Sequence, residues 1–455
     1  MTIKAINPAN KQIINHYQQL TDQQAEQHLI KSNQQWKKWK DTDFRTRSEL
    51  MIKAAGVLQA KTDKYAQLIT EEMGKPITSS RAEVDKCAWV CRYYAQHAQD
   101  MLKTEPVSTD AFRSMVTYQP LGLILGIMPW NFPFWQVFRF AVPTLIAGNG
   151  VLVKHASNVP GCSEAIEEIF NSAGFPPDIY KNLLLSSSQA LNIISHPLIK
   201  GVSLTGSTEA GKSVAKAAGA NLKKTVLELG GNDPYVILSD ADLSATVETC
   251  VTSKLINSGQ SCIAAKRFIV VKELREEFEK IMVKKMNQAI MGDPRDDKTQ
   301  VGPLAREDLV KLLDQQVRDS INQGAICLLG GKISSSPGFY YPPTVLTEVK
   351  PGMPAYNQEL FGPVASIIIA ENDQEAVEIA NDSSFGLGAA VFTQDISKGE
   401  QIAILQLEAG SCFVNSLVKS DPRLPFGGIK QSGYGRELSL QGILEFVNIK
   451  TVYIK

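Results

Sequence analysis

The chain has 455 residues, of which 44% are hydrophobic and 21% charged, the balance of an ordinary globular protein with two or three domains. Its 47 acidic and 47 basic side chains cancel, which argues against a nucleic-acid-binding protein. The longest apolar run, Leu121 to Met128, is too short to cross a bilayer, which argues against a membrane protein. With no signal or transit peptide pattern and seven cysteines in no disulfide spacing, we expect a cytoplasmic location.

Residues 20–100 are rich in helix formers, with apolar side chains at helical spacing. From Leu121 onwards, short apolar strands alternate with amphipathic helices. The predicted strands are Leu121–Ile127, Gly150–Val153, Asn182–Leu185, Gly201–Leu204 and Pro234–Leu238, with helices Ser163–Ser172 and Ser207–Ala218 between them. This alternation predicts a parallel, doubly wound sheet.

A second alternating block runs from Arg267 to Phe413. It contains a predicted helix, Glu273–Ala289, and predicted strands at Ala325–Leu329 and Ala365–Ala370. We therefore expect a second α/β domain, and a cleft between the two domains is the expected ligand site.

The segment Gly206–Ser213 matches the phosphate-binding motif G-x-x-x-x-G-K-S and lies between a predicted strand and a predicted helix. Asp240, at the end of a hydrophobic stretch, has the position of an acidic partner for magnesium. Two interpretations are open from this motif alone. One is a nucleotide hydrolase, and the other is a glycine-rich turn that packs against a different ligand.

Four clusters of polar and reactive residues stand outside this motif. They are Pro129–Pro133, Leu227–Asn232, Asn257–Cys262 and Glu359–Pro363. Together they supply an amide, a carboxylate beside two glycines, a thiol in a glycine-containing loop, and a carboxylate beside an aromatic ring. Each has an ordinary structural alternative, because a single cysteine such as Cys262 is more often a buried small hydrophobic residue.

In this order the four clusters resemble the aldehyde dehydrogenase superfamily, as do Pro425–Gly428 and Ser432–Glu437. The resemblance implies an α/β, aldehyde dehydrogenase-like fold with a Rossmann-like cofactor domain (1–101 and 120–228) and an α/β catalytic domain (229–425). It implies a small bridging β element (102–119 and 442–455) that joins subunits into a homodimer or homotetramer, with the C-terminal strand pairing across the contact. It also implies that Gly206–Ser213 lies under a dinucleotide and hydrolyses nothing.

An aldehyde releases hydride only after a nucleophile has added to its carbonyl carbon. The resemblance implies that Cys262 is this nucleophile, forming a thiohemiacetal and then a thioester during NAD(P)-dependent oxidation. Asn131 and the Cys262 backbone N–H would stabilise the oxyanion, and Glu228 would be the general base. We expect the surroundings of Cys262 to raise its thiolate fraction. Gly230 and Gly231 would let the backbone approach closely.

The resemblance assigns NAD or NADP to residues at the turns after the predicted strands. They are Trp130, Lys154, Ser157, Thr205, Gly206, Ser207, Glu359 and Phe361. Lys154 would bind the adenosine ribose and Glu359 the nicotinamide ribose. Family members strict for NAD often carry a glutamate where this chain has Ser157, so we expect both cofactors to be accepted. No metal site is expected, because Cys87 and Cys91 lack further ligands.

Within the superfamily, the chain is most similar to bacterial succinate-semialdehyde dehydrogenases. The similarity rests on Ile127–Pro133, Leu152–Ala156 and Met291–Arg295. It implies that Arg139 and Ser420 bind a distal carboxylate of the substrate. Many such enzymes have a second arginine where this chain has Ile256, and either Lys419 or Arg423 is the candidate replacement. Glutarate semialdehyde or another short aldehyde stays open as the substrate.

Overall fold

The computed structural model describes residues 2–455. Its N-terminal part is a β-hairpin followed by four helices. These elements are β1 (Thr2–Ile6), β2 (Ile13–Gln18), α1 (Asp22–Trp39), α2 (Phe44–Ala60), α3 (Thr62–Met73) and α4 (Ile77–Met101). A capping box formed by Thr21 and Gln24 starts α1, and Gly74 in the left-handed conformation ends α3. Helix α4 packs against α2, α3 and the later helix α5.

The first large sheet has six strands in the order β19-β9-β8-β5-β6-β7, where β19 is Gly433–Tyr434 and β5 to β9 are mutually parallel. Its elements are β5 (Leu123–Met128), α5 (Trp135–Ile146), β6 (Gly150–His155), α6 (Pro160–Ser172), β7 (Tyr180–Asn182), α7 (Ser187–Ser195), β8 (Ile199–Thr205), α8 (Thr208–Gly219) and β9 (Lys224–Glu228). The predicted doubly wound sheet is confirmed. The carboxyl ends of parallel strands meet at one edge, so the residues after Met128, His155, Thr205 and Glu228 converge there.

The second large sheet has seven strands in the order β12-β13-β14-β11-β10-β16-β17. The strands and the helices around them are β10 (Pro234–Ile237), α9 (Leu243–Leu255), β11 (Arg267–Val271), α10 (Arg275–Gln288), α11 (Glu307–Asn322), β12 (Ile326–Leu329), β13 (Thr344–Thr347), α12 (Pro354–Asn357), β14 (Val364–Ala370), α13 (Asp373–Asn381), β16 (Gly388–Phe392), α14 (Ile396–Leu405) and β17 (Ser411–Val414), with 3-10 turns at Ile256–Gly259 and Lys272–Leu274. The short strand β15 (Phe385–Gly386) precedes β16 but pairs with β18 (Ile429–Lys430) in a separate two-stranded sheet. Strands β11 and β14 pair in parallel. The loops that precede them, which carry Cys262 and Glu359, therefore lie side by side.

A third sheet brings a hairpin near residue 110 together with the C-terminal strand. It contains β3 (Glu105–Val107), β4 (Arg113–Pro120) and β20 (Val447–Ile454). The C-terminal strand pairs antiparallel with β4 of the same chain, and its other edge has no neighbouring strand within residues 2–455, so the predicted pairing across a subunit contact stays a prediction. The side chain of Asn149 supports the pairing with β4, because it accepts from the N–H of Gly122 at 3.0 Å and donates to the carbonyl oxygen of Phe446 at 2.9 Å. One buried amide thus holds the end of β4 beside the start of β20.

Short elements complete the chain. They are β18 (Ile429–Lys430), β19 (Gly433–Tyr434) and α15 (Ser439–Leu444), and β19 returns to the first large sheet beside β9. Among residues 2–455, no helix combines the length and apolar character needed to cross a bilayer.

Candidate active site

The loop that carries Cys262 has a constrained backbone. Asn257, Ser258 and Gly259 have φ angles of 54°, 56° and 76°, in the left-handed region that glycine adopts most readily. A β-carbon at residue 259 would collide with the carbonyl oxygen of Gly362, so only glycine fits there. Backbone strain of this kind is concentrated at functional sites. Here it fixes the position of the thiol three residues later.

Two hydrogen bonds hold Asn131 against this loop. Its Nδ2 donates to the carbonyl oxygen of Gln260 at 3.1 Å, and Nδ2 of Asn257 donates to the carbonyl oxygen of Asn131 at 2.7 Å. A side-chain amide carries two N–H donors, so one N–H of Asn131 is left for another acceptor. The backbone N–H of Cys262 makes no hydrogen bond within the part of the chain that the structure describes. The fold thus brings together the two donors predicted for an oxyanion.

The thiol of Cys262 is held in its protonated form. Burial raises the pKa of Cys262 to about 12, and the positive charges of Arg139 and Lys266 offset this only in part. The predicted rise in thiolate fraction is therefore wrong. Because the thiolate is the nucleophile, addition to an aldehyde requires a base that takes the thiol proton.

The carboxyl of Glu228, at the end of β9, is buried without a partner. The residue is 2% exposed, and neither oxygen accepts a hydrogen bond from residues 2–455. Burial raises the pKa of Glu228 well above its usual range, the Arg139 charge opposes that rise, and Glu437 adds to it. An unpaired buried carboxyl costs stability and is typical of a functional group. A raised pKa makes the carboxylate of Glu228 a stronger base than an ordinary glutamate.

Arg139 lies close to both reactive groups, but its charge is paired. Its guanidinium forms an ion pair with Glu437, donates from Nη2 to Oγ1 of Thr205 at 3.4 Å, and stacks 4.7 Å from the ring centre of Phe426. The sequence predicted that Arg139 binds a substrate carboxylate, which calls for a cation with free donors. With Glu437 already neutralising its charge, that role stays a prediction.

Lys266 connects the nucleophile loop to the loop of Glu359. Its ammonium donates to the carbonyl oxygen of Cys262 at 2.7 Å and lies 3.4 Å from Oε1 of Glu359. The same carboxylate accepts from the N–H of Gly231 at 3.1 Å, and a β-carbon at Gly230 would lie 2.6 Å from its Oε2. The predicted close backbone approach at the two glycines is confirmed. Sequence reasoning missed Lys266, whose only signal was its position four residues after Cys262.

His155 is a second residue whose role the sequence did not reveal. Its Nε2 contacts the carbonyl oxygen of Pro133 at 2.8 Å, while Nδ1 accepts from the N–H of Ala156 at 2.8 Å. Burial lowers the pKa of His155 to about 4, so the ring is neutral and its proton lies on Nε2. This contact anchors the turn that carries Asn131 to the end of β6.

A cavity of about 280 Å³ opens beside Cys262. Its wall includes Arg139, Ile256, Lys419 and Ser420, which the sequence had placed at the substrate, and also Lys86 of α4, which it had not. Arg423, the other candidate to replace an arginine at Ile256, is absent from this wall. It forms a two-point ion pair with Asp421, at 2.9 and 2.7 Å.

A family model described as the aldehyde dehydrogenase family matches residues 1–452. The chain belongs to the aldehyde dehydrogenase family. The family and the fold that the sequence predicted are thereby confirmed.

Individual members of this family are similar over nine-tenths of the chain or more. The probable succinate-semialdehyde dehydrogenase (NADP+) of Synechocystis sp. is 48% identical and covers 100% of both chains. The succinate semialdehyde dehydrogenase (NAD(P)+) of Escherichia coli is 47% identical over 91% of this chain and 90% of its own length. The crystal structure of succinic semialdehyde dehydrogenase from Streptococcus pyogenes in complex with NADP+ has a TM-score of 0.97, with 38% identity over 99% of both chains.

The edge of the first sheet fits the nicotinamide cofactor that this family implies. Helix α8 begins there, with Ser207 as its cap, and the N-terminus of a helix favours phosphate. The Lys154 ammonium at the end of β6 has no hydrogen-bond or carboxylate partner in residues 2–455, and burial lowers its pKa. Ser157 is exposed and brings no negative charge. These groups can donate hydrogen bonds to the phosphates and hydroxyls of a dinucleotide, and none of them repels its phosphates.

Two aromatic side chains lie beside the turn that follows β5, the strand between β6 and β8. Trp130 and Phe361 pack edge to face, with ring centres 5.7 Å apart. Since Phe361 follows Glu359 and Trp130 precedes Asn131, this pair connects residues predicted to bind the cofactor with the residue predicted to stabilise the oxyanion.

The phosphate-binding motif of the sequence does not form a hydrolase site. The Lys212 side chain is 61% exposed and pairs with Glu209 at 2.8 Å. Asp240 accepts from Thr393 Oγ1 at 2.8 Å, in a loop of the second sheet. The lysine and the acidic residue therefore belong to separate parts of the fold, and the glycine-rich turn interpretation is the correct one.

Proposed function

We propose that this enzyme oxidises succinate semialdehyde to succinate with NADP+ or NAD+, with a thioester on Cys262. The main support is that one small cavity is lined by both Cys262 and Ser420, the residue predicted to bind a distal carboxylate. The names of the Synechocystis and Escherichia coli relatives support the same substrate and both cofactors.

The first half of the reaction forms the covalent adduct. Glu228 takes the thiol proton of Cys262, and Sγ forms a bond to the aldehyde carbon. The carbonyl oxygen becomes an oxyanion that accepts from the free N–H of Asn131 and the backbone N–H of Cys262. Losing one such donor typically slows a reaction by about 10²–10³-fold. When bound at the sheet edge, the nicotinamide cofactor supplies the acceptor for the hydride, and Cys262 then carries a thioester.

The second half releases the product. Glu228 first releases the thiol proton to solvent and then takes a proton from water, and the oxygen of that water attacks the thioester carbon. The tetrahedral adduct collapses with cleavage of the C–S bond, which yields the carboxylic acid and the Cys262 thiolate. The thiolate then recovers a proton from Glu228, so that the thiol and the carboxylate are both regenerated. The same buried carboxyl thus acts twice, and its raised pKa lets it gain and lose a proton in each cycle.

Steady-state rates with a panel of aldehydes test the proposed substrate. Butanal has the same chain length as succinate semialdehyde but no carboxylate, and glutarate semialdehyde is one carbon longer. We expect kcat/KM to be highest for succinate semialdehyde, followed through the absorbance of the reduced cofactor. Equal kcat/KM values for succinate semialdehyde and butanal would contradict a carboxylated substrate. A higher kcat/KM for glutarate semialdehyde would show that the longer semialdehyde is the substrate.

Ser157 should set the cofactor preference. The wild type should use both NADP and NAD, because its serine lacks the carboxylate that repels a 2′-phosphate. Ser157→Glu should lower kcat/KM for NADP by about tenfold or more relative to NAD, since like charges placed together are costly. Ser157→Gln, of similar size but uncharged, is the matched control. An unchanged cofactor ratio in Ser157→Glu would show that another residue is the selector.

We also propose a homodimer or homotetramer built on the third sheet, in the cytoplasm. The outer strands β3 and β20 each have one edge without a neighbouring strand among residues 2–455, and Phe112 in the hairpin is 85% exposed. All seven cysteines are unpaired, which suits a reducing compartment. Light scattering at micromolar concentration distinguishes these oligomers from a monomer.

A further inference from the structure

Helix α4 presents one face to the cavity beside Cys262. Ser79, Ala82, Glu83 and Lys86 line the wall, at the three- and four-residue spacing of one helical face. Residues from this helix did not figure in the sequence prediction of the site. Lys86 is the cation among them.

The charges around the cavity leave Lys86 without an opposite charge. Glu83, an anion in the wall, forms an ion pair with buried Lys75 and accepts from the backbone N–H of Phe134 at 2.8 Å. Arg139 is paired with Glu437. Within residues 2–455, no carboxylate lies within 4 Å of the Lys86 ammonium. A partly buried, unpaired ammonium in an apolar cavity favours an anionic ligand.

Two contacts hold the ammonium of Lys86 in place. Its Nζ donates to Oγ of Ser420 at 2.8 Å and lies 4.3 Å from the ring centre of Trp135. An ammonium has three N–H donors, so donors are left for a ligand after the bond to Ser420. The Ser420 hydroxyl accepts from Lys86, which leaves its own O–H free to donate. Burial and the charge of Arg139 lower the pKa of Lys86 to about 8, the direction expected for a cation that lacks its counter-ion.

We propose that Lys86 binds the distal carboxylate of the substrate, with the Ser420 hydroxyl as the second donor. The proposal rests on the proposed function and names the residue that recognises the semialdehyde. It places the cation on α4 rather than at residue 256, where the wall of the cavity is the apolar side chain of Ile256. Lys419 also lines the cavity, but it is exposed to solvent, where an ion pair is worth little.

The test compares kcat/KM for succinate semialdehyde and butanal in three variants. In Lys86→Met, which keeps the length of the side chain, the ratio of the two values should fall by about 100-fold, mostly through a higher KM for the semialdehyde. Lys86→Arg keeps the cation and should retain a ratio within about tenfold of wild type. Lys419→Met should change the ratio by less than about threefold.

The outcomes separate this proposal from the proposed function. If the wild type itself fails to prefer the semialdehyde over butanal, the proposed function is wrong. If the wild type has the preference and Lys86→Met keeps it, Lys86 is not the recognition residue and the proposed function stands. If the ratio falls strongly in Lys419→Met alone, Lys419 and not Lys86 binds the carboxylate. Should Lys86→Met fail to fold, the ratio must fall by the same factor in Lys86→Gln, and an unchanged ratio in that variant overturns the proposal.

Discussion

Cys262→Ala is expected to lower aldehyde oxidation by at least about 10⁴-fold, because loss of a covalent nucleophile typically costs that much or more. Hydride cannot leave the neutral carbonyl until Sγ has added to it, and no other side chain in the loop replaces the thiol. Initial rates of cofactor reduction measure the loss. Binding of NADP, followed by calorimetry, should stay close to wild type, because Lys154 and the start of α8 lie on the other sheet.

The matched controls are the other two partly exposed cysteines. Cys327 and Cys412 lie in β12 and β17 of the second sheet, away from the Cys262 cavity. Cys327→Ala and Cys412→Ala should therefore oxidise the aldehyde at near wild-type rates. Near wild-type turnover in Cys262→Ala would refute the covalent mechanism outright.

Glu228→Gln should convert steady turnover into a burst followed by a slow phase. Glutamine has the same shape but cannot accept a proton, so both half-reactions should slow. Hydrolysis of the thioester should slow more, by about 10²–10⁴-fold, because the thiol of Cys262 can still lose its proton to solvent before the aldehyde adds. Stopped-flow absorbance should show one equivalent of reduced cofactor per active site before the slow phase. Equal loss of burst and steady state would instead mean that Glu228 acts chiefly by deprotonating Cys262.

The pH dependence gives a second readout of the same group. A general base works only when deprotonated, so the hydrolysis rate of the wild type should rise with pH through the pKa of Glu228. Burial raises that pKa, which places the rise above the range of an ordinary glutamate. In Glu228→Gln this rise should disappear, and a variant that keeps it would assign the titration to another residue.

The alternation of apolar segments predicted both large sheets, because a strand buried on both faces is a short apolar run. The clearest error was the strand at Asn182–Leu185, which the structure places at Tyr180–Asn182. Leu183 and Leu185 are buried, at 0% and 3% exposure, but follow the strand, and only the N–H of Leu183 still donates to β6, to the carbonyl oxygen of Val153 at 2.8 Å. Their apolar character reports burial and not the bounds of the strand.

The site was predictable where its residues lie in local motifs and unpredictable where it depends on long-range packing. Cys262, Glu228 and Asn131 were predicted as catalytic residues because each lies in a cluster that resembles a known family. Lys86 was missed because a lysine in a polar helix resembles a solvated surface residue, and only the packing of α4 against Ser420 reveals its position. The pKa of Cys262 was predicted in the wrong direction because burial cannot be read from the loop sequence.

Acid-quenched mass spectrometry of Glu228→Gln tests the covalent mechanism most directly. The variant is mixed with succinate semialdehyde and NADP+, quenched during the slow phase, digested and mapped. We expect one succinyl group per chain, attached to the peptide that contains Cys262 and released by hydroxylamine as a thioester is. A full burst of reduced cofactor with no succinyl group on Cys262, or with the group on another residue, would contradict the thioester mechanism.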